Sequence, residues 1–282
     1  MKIASWNIEG RLSNLARGSR GTPAAIVSAI HQLDADILVH PEAFGTKPPI
    51  AAAIETALRD QGYHSVSVPY DDSLERGEHS AVTNPHLRIM SRMPIISSEF
   101  IRPGDMRTMI AVTVQDSDSG RNVRIMGVHL DDRSEQYRLI QVYPLIEYIN
   151  SSDISTVVMG DFNAMPPNTL KSLLVHSFLF KGLAMVIPHR HMRNVLRRLS
   201  DMATGTTIAS IVNQTSLSNT DPSYKPTTTP KMRKMEWMPS IRFAKIDWIF
   251  VSPDIEYKNF SVSPDLGSDH RAVSAEITLK KR

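Results

Sequence analysis

The sequence predicts an α/β protein in which mixed β-sheets are covered by helices. Three observations lead there. Short apolar, β-branched runs recur along the 282 residues, amphipathic helical patterns lie between the early ones, and between Met109 and Leu130 strand follows strand. The last feature argues against one parallel sheet, in which each strand would be followed by a crossover helix.

The first strand is expected at Lys2–Glu9 and the second at Asp36–Glu42. Between them Thr22-Pro23, a capping residue before a helix-start proline, opens a helix near Ala24–Leu33. A second helix is expected at Ile50–Gln61. Further strands follow at His64–Tyr70, Leu87–Ser91, Met109–Gln115 and Asn122–Leu130. A helix over Ser134–Asn150 carries Leu139, Val142, Leu145, Ile146 and Ile149 at amphipathic spacing. Strands at Thr156–Asp161, Lys245–Val251 and Ala275–Leu279 complete the series. From about Lys171 to Arg242 the pattern lapses. A basic stretch, Arg190 to Arg198, leads into a Ser/Thr/Asn-rich run ending at Pro230. It reads either as a solvated helix with a loose insertion or as a substrate-contacting loop.

Composition narrows the chemistry. The chain has no cysteine, which excludes disulfide scaffolds, thiolate zinc sites and cysteine nucleophiles and leaves oxygen and imidazole for any metal. A net charge of +3 is compatible with a phosphorylated or polyanionic substrate. The N-terminus lacks the apolar run of a signal peptide and no run elsewhere could span a bilayer, so a cytoplasmic protein without a membrane span is expected.

Polar clusters adjoin the apolar strands: Ser5-Trp6-Asn7, His40-Pro41-Glu42, Gly127-Val128-His129-Leu130, Gly160-Asp161-Phe162-Asn163, Ile246-Asp247-Trp248 and Gly267-Ser268-Asp269-His270. Each alone reads as turn chemistry. Together they supply His129 and His270, four carboxylates and two asparagines next to strands, where mixed α/β folds present reactive groups. Phosphate-ester hydrolysis needs such an inventory. A hard cation on one or two carboxylates neutralises phosphoryl oxygens, a carboxylate orients water, and imidazoles donate to developing charge. A histidine of that kind needs a carboxylate on its other ring nitrogen. Trp6 is expected to pack in the core, and the Arg92-Met93-Pro94 turn to be structural.

The order of Trp6-Asn7, Pro41-Glu42, Ser91-Arg92-Met93-Pro94-Ile95, His129-Leu130, Gly160-Asp161-Phe162-Asn163, Ile246-Asp247 and Ser268-Asp269-His270 resembles the endonuclease/exonuclease/phosphatase superfamily. That resemblance implies a four-layer αββα sandwich, two packed mixed β-sheets flanked by helices, with residues 1–282 forming one domain and about 171–242 a long variable insertion. It implies Mg2+ or Mn2+ bound chiefly by Glu42, with Asn7 and Asp269 close by. Asp161 would align or deprotonate the water beside Asn163, Asp247 would orient a phosphate-contacting His270, and His129 would be the second imidazole. Asn7 and Arg138 are candidate substrate contacts, although Arg138 reads more readily as a helix-surface residue. The expected protein is a monomeric phosphoesterase acting on phosphodiesters, with DNA or RNA favoured over phosphoinositides, sphingolipids or small phosphorylated metabolites. A non-catalytic binding module is the remote alternative.

Two departures stand out. Pro41 occupies a place where the family usually has glutamine. The stretch Met106-Arg107-Thr108-Met109 lacks the glutamate that deoxyribonuclease-like members pair with their first histidine.

Overall fold

The protein is represented by a computed structural model that describes residues 1–8, 23–42, 48–68, 87–104, 107–167, 197, 200–228, 244–266, 268 and 270–281. The Arg190–Arg198 stretch apart from Arg197, most of the remaining 171–242 segment, and Asp269 lie outside the described residues.

Among the described residues, twelve strands form two six-stranded sheets. The first has the order β11-β12-β1-β2-β4-β3, with β1 Lys2–Ser5, β2 Ile37–His40, β3 His64–Ser67, β4 Arg88–Ser91, β11 Ile255–Val262 and β12 Val273–Leu279. The second runs β5-β6-β7-β8-β10-β9, with β5 Ile95–Ile101, β6 Met109–Gln115, β7 Asn122–His129, β8 Ser155–Asp161, β9 Ser218–Asn219 and β10 Asp247–Val251. Both are mixed. β1 and β2 run parallel, as do β7 and β8, and the other pairs are antiparallel.

Side-chain parity builds the layers. Ile3, Val39, Ile125, Val157, Met159, Ile249 and Val273 point between the sheets and form the central core. Their opposite-parity neighbours cover helices. Ala4 and Leu38 pack against α1 (Pro23–Leu33) and α2 (Pro48–Arg59). Val128, Val158, Trp248 and Phe250 pack against α3 (Glu135–Asn150) and α4 (Thr206–Gln214). The result is helix, sheet, sheet, helix. Gly127 lets the sheets close up near one end, because a Cβ there would meet Ile89 and Val39 of the opposite sheet at 3.2 Å.

Four elements escape the sequence pattern, the two-residue β9 among them. β5 (IISSEFI) is an edge strand with both faces largely exposed, so Ser97, Ser98 and Glu99 erase the alternation. β11 is also an edge, broken by an irregularity after Lys258 and by Asn259 at φ +54°. α4 (TTIASIVNQ) arises inside the Ser/Thr/Asn-rich run, where β-branched residues argue against a helix until Ile208 and Ile211 find the core.

α3 follows the expected frame, with Ser134 capping through its hydroxyl to the Gln136 amide. Its first turns differ. Arg138 and Gln141 take core-facing positions, and Leu139 is only half-buried.

Candidate active site

The same parity that fills the core ends in chemistry. Val157 and Met159 on β8 are followed two residues on by Asp161, and on β7 the inward series Val123, Ile125, Gly127 ends at His129. On β10 the inward residues Val251 and Ile249 lead back to Asp247, and on β1 Ile3 and Ser5 lead on to Asn7. Register then aligns them, since Asp161 pairs with His129 on one side and with Asp247 on the other. Asn7 and Glu42 extend beyond the C-terminal ends of parallel β1 and β2. His270 lies just before β12, whose first residue, Val273, pairs with Ser5. All meet at one mouth of the sandwich.

Asp161 is the centre. Its side chain is nearly inaccessible, and Oδ2 accepts from Asn7 Nδ2 at 2.9 Å while Oδ1 accepts from the Asn163 amide at 2.9 Å. Two imidazoles flank it, His270 Nε2 at 3.8 Å and His129 Nε2 at 3.9 Å. Behind His270, the fully buried Asp247 takes Nδ1 at 3.0 and 3.2 Å. That contact puts the His270 proton on Nδ1 and turns Nε2 towards Asp161. Glu42 Oε1 lies 3.5 Å from His129 Nε2, with about a third of its side chain exposed.

Local backbone geometry serves these positions. Gly160, at φ +152°, has no alternative, for a Cβ would lie 1.9 Å from the Val128 carbonyl oxygen. Asn163 adopts φ +49°, a conformation asparagine tolerates, and sends Nδ2 to the Leu130 carbonyl at 3.0 Å. Its amide therefore ties the end of β8 to the end of β7. Ser268 links the other two walls, donating to the Asn7 carbonyl at 2.7 Å and accepting from the His270 amide at 3.2 Å.

Electrostatics follow from burial. Desolvation pushes the Asp161 carboxyl up to about 7, helped by the nearby Asp247 charge and opposed by His270, the Asn163 amide and Asn7. His129 is held well below the usual imidazole range by burial, then by the positive charges of Arg107 and His270, with a hydrogen bond to the Pro41 carbonyl opposing. A neutral ring that gives its one N–H to that carbonyl offers only a lone pair elsewhere. The partner sought for His129 among carboxylates is thus a main-chain oxygen.

The structure brings together Asn7, Glu42, His129, Asp161, Asn163, Asp247 and His270. It does not bring Arg138. That side chain is completely buried, with Nε donating to Glu135 Oε2 at 2.7 Å and Nη1 to the Asp131 carbonyl at 2.9 Å. Glu135 Oε1 in turn accepts the Thr207 amide at 2.7 Å at the start of α4. Arg138 is therefore corrected from surface or substrate contact to an internal brace, because no solvent-borne phosphate reaches it.

Other residues were missed. Arg107 donates to the Leu130 carbonyl at 2.7 Å and to Asp132 at 2.9 Å, setting a positive charge beside His129. His40, fully buried and pushed down to about 3 by desolvation, bonds through Nδ1 to the Trp6 carbonyl at 2.9 Å and joins β2 to β1. Trp6 packs in the core, as expected, and its Nε1 donates to the His270 carbonyl at 3.2 Å.

The donor set suits a hard divalent cation. It comprises carboxylate and amide oxygens with imidazole and no sulfur, and Asp161 sits at about 7 among protein groups alone, so an adjacent cation would favour its ionised form. Spacing alone offers Asp161, Asp247 and His270 as ligands, their atoms lying within 4.8 Å of one another. The Asp247–His270 contact is a hydrogen bond, however, so the oxygens of Asn7, Glu42 and Asp161 are the better donors.

Residues 4–270 match the Endonuclease/Exonuclease/phosphatase family. The chain belongs to that family. Enzymes of the endonuclease/exonuclease/phosphatase family are generally hydrolytic phosphoesterases and typically depend on divalent metal. Among solved structures, a family member from Bacteroides vulgatus superposes with a TM-score of 0.69 at 15% identity, covering 99% of this chain and 98% of its own. A mannosyl-6-phosphatase from Bacteroides thetaiotaomicron gives 0.60 at 15% identity, covering 99% and 100%. The catalytic domain of human Nocturnin, with bound sulfate anion, gives 0.60 at 17% identity, covering 99% and 94%. At these identities the likeness shows the fold. A comparison with curated protein sequences finds no match. Among the described residues no helix is long and apolar enough to cross a membrane.

Proposed function

We propose that the protein hydrolyses phosphodiesters with Mg2+ or Mn2+ bound at Glu42, Asn7 and the Asp161 side of the site, and that nucleic acid is its substrate. The observation that carries this reading is the Asp161 carboxylate, buried between two imidazole nitrogens at 3.8 and 3.9 Å and braced by two asparagines. The bound cation supplies charge neutralisation at the phosphoryl oxygens.

The chain's own groups perform the remaining work. Asp161 accepts a proton from the attacking water and sets its line of approach, and an adjacent cation favours the ionised form that does so. As the water oxygen bonds to phosphorus, the bond to the leaving oxygen breaks, and charge grows on the phosphoryl oxygens. His270, with Asp247 on Nδ1, donates to that charge from Nε2 when protonated. His129, neutral, accepts a hydrogen bond from water or a substrate hydroxyl. It donates to phosphate only after gaining a proton, which qualifies the stabilising role expected from sequence.

The preference for nucleic acid rests on the +3 net charge and the basic run from Arg190 to Arg198. The likeness to a mannosyl-6-phosphatase keeps a small phosphorylated sugar as the second reading. A panel of single- and double-stranded DNA, RNA, phosphoinositide, sphingomyelin and sugar phosphate, with Mg2+ and with an Asp161→Asn control, tests both. Turnover of nucleic acid that falls about 100-fold or more in the control is expected. Turnover confined to the sugar phosphate would replace the first reading with the second.

A further inference from the structure

Asp247 and His270 belong to different sheets. Asp247 opens β10 in the second sheet, whereas His270 precedes β12 in the first, so no sheet ladder sets one against the other. Yet their side chains must meet at 3.0 Å.

A two-residue segment between β9 and β10 supplies the missing frame. Thr227 is fully buried, and its Oγ1 accepts from both the Ile246 and the Asp247 amides at 3.2 Å. Its own amide donates to the Ala244 carbonyl at 2.8 Å, and its carbonyl accepts the Arg271 amide at 2.7 Å. Thr228 forms an antiparallel bridge with His270 and a further side-chain bond to the Ala244 amide at 3.1 Å. One residue thus grips the strand that carries the carboxylate with its side chain and the turn that carries the imidazole with its backbone.

A second tie secures the same strap. Asp221, completely buried, accepts the Lys225 amide at 2.9 Å and pairs with Lys245 Nζ at 3.0 Å. Lys245 Nζ also donates to the Asp247 carbonyl at 3.3 Å. Both ties converge on Asp247.

We propose that Thr227 is a positioning residue for the Asp247–His270 pair, its hydroxyl and carbonyl joining the two sheets so that His270 keeps Nδ1 on Asp247 and Nε2 on Asp161. Threonine suits the task, because β-branching restricts χ1 and so limits the hydroxyl to few directions. Serine retains the acceptor with more freedom; valine retains the shape and abolishes it. The catalytic part of this inference rests on the phosphodiesterase reading above, and the structural part does not.

The test compares Thr227→Val and Thr227→Ser with the wild type by two readouts. The long-range proton–nitrogen spectrum of His270 in metal-free protein reports its tautomer. Steady-state hydrolysis of bis-p-nitrophenyl phosphate reports kcat and KM. Thr227→Val should mix the His270 tautomers and lower kcat about tenfold or more with KM within about twofold, the loss of one positioning interaction. Thr227→Ser should restore the wild-type spectrum and most of kcat. An unchanged His270 spectrum in Thr227→Val overturns the proposal whatever the rates do. A changed spectrum in a protein whose wild type turns over no phosphate ester upholds the strap and refutes the function instead. If Thr227→Val does not fold, amide exchange in the wild type decides. The Arg271 amide should exchange as slowly as the β8–β10 ladder, and exchange at loop rates would overturn the strap.

Discussion

Changing Asp161 to Asn should destroy activity and, in metal-free protein, raise stability. The buried carboxyl is carried from 3.8 to about 7, chiefly by desolvation. At about 1.36 kcal/mol for each tenfold, that is on the order of 4 kcal/mol against folding. The sign follows from linkage. A carboxyl with a raised native value binds its proton more tightly in the folded state, so its contribution is most favourable below 3.8 and is lost as pH rises through about 7. Metal-free wild type should therefore be markedly less stable at about pH 8 than at about pH 5, by up to on the order of 10 °C in midpoint for a chain of this size. Asparagine keeps an oxygen for the Asn163 amide and carries no charge. The variant's thermal midpoint, measured in chelator, should rise at the higher pH, and this part of the pH dependence should vanish. Magnesium should stabilise the wild type there and act far more weakly on the variant. A variant less stable than wild type at about pH 8, or a wild type indifferent to pH, would refute the desolvation argument.

The remaining predictions concern single contacts. Glu42→Gln should weaken Mn2+ binding by about tenfold or more in calorimetry, since a ligand charge is removed; unchanged affinity would exclude Glu42 as a ligand. Gly160→Ala must displace backbone at Val128, where the added Cβ would sit 1.9 Å from the carbonyl oxygen, and should cost upward of about 3 kcal/mol in urea denaturation. An unaltered midpoint would mean that the turn is drawn wrongly. Asp221→Asn leaves the Lys245 ammonium buried without its counter-charge and should cost about 3–5 kcal/mol, also read by urea; a change within about 0.5 kcal/mol would contradict that pairing.

The grouping of the polar clusters was readable because of strand parity. Val157-Val158-Met159 predicts which face Asp161 shares, and the same count carries Ile125 to His129 and Ile249 back to Asp247. Central strands announce themselves by burial on both faces. Of the edge strands only β3 was legible, whereas β5, β9 and β11 lack that signal and passed unnoticed. Arg138 was misplaced for a related reason. A helical stripe is read by ranking side chains on polarity, and arginine ranks outside, yet Glu135 and the Asp131 carbonyl together allow it inside. The partner of His129 was illegible in principle, because a search for carboxylates passes over the Pro41 carbonyl. Thr227 was equally hidden. Its contacts are to amides 19 and 20 residues away in the chain, and nothing in Lys225-Pro226-Thr227-Thr228 foretells them.

Hydrolysis of bis-p-nitrophenyl phosphate in heavy-oxygen water, with Mg2+ and then with excess chelator, puts the buried Asp161 site to the hardest test. Solvent oxygen should appear in the released phosphate ester, turnover should stop with chelator, and Asp161→Asn should cut the rate by about 100-fold or more. Turnover that persists in chelator, or that survives intact in the variant, would contradict a cation-assisted attack by water at this mouth of the sandwich.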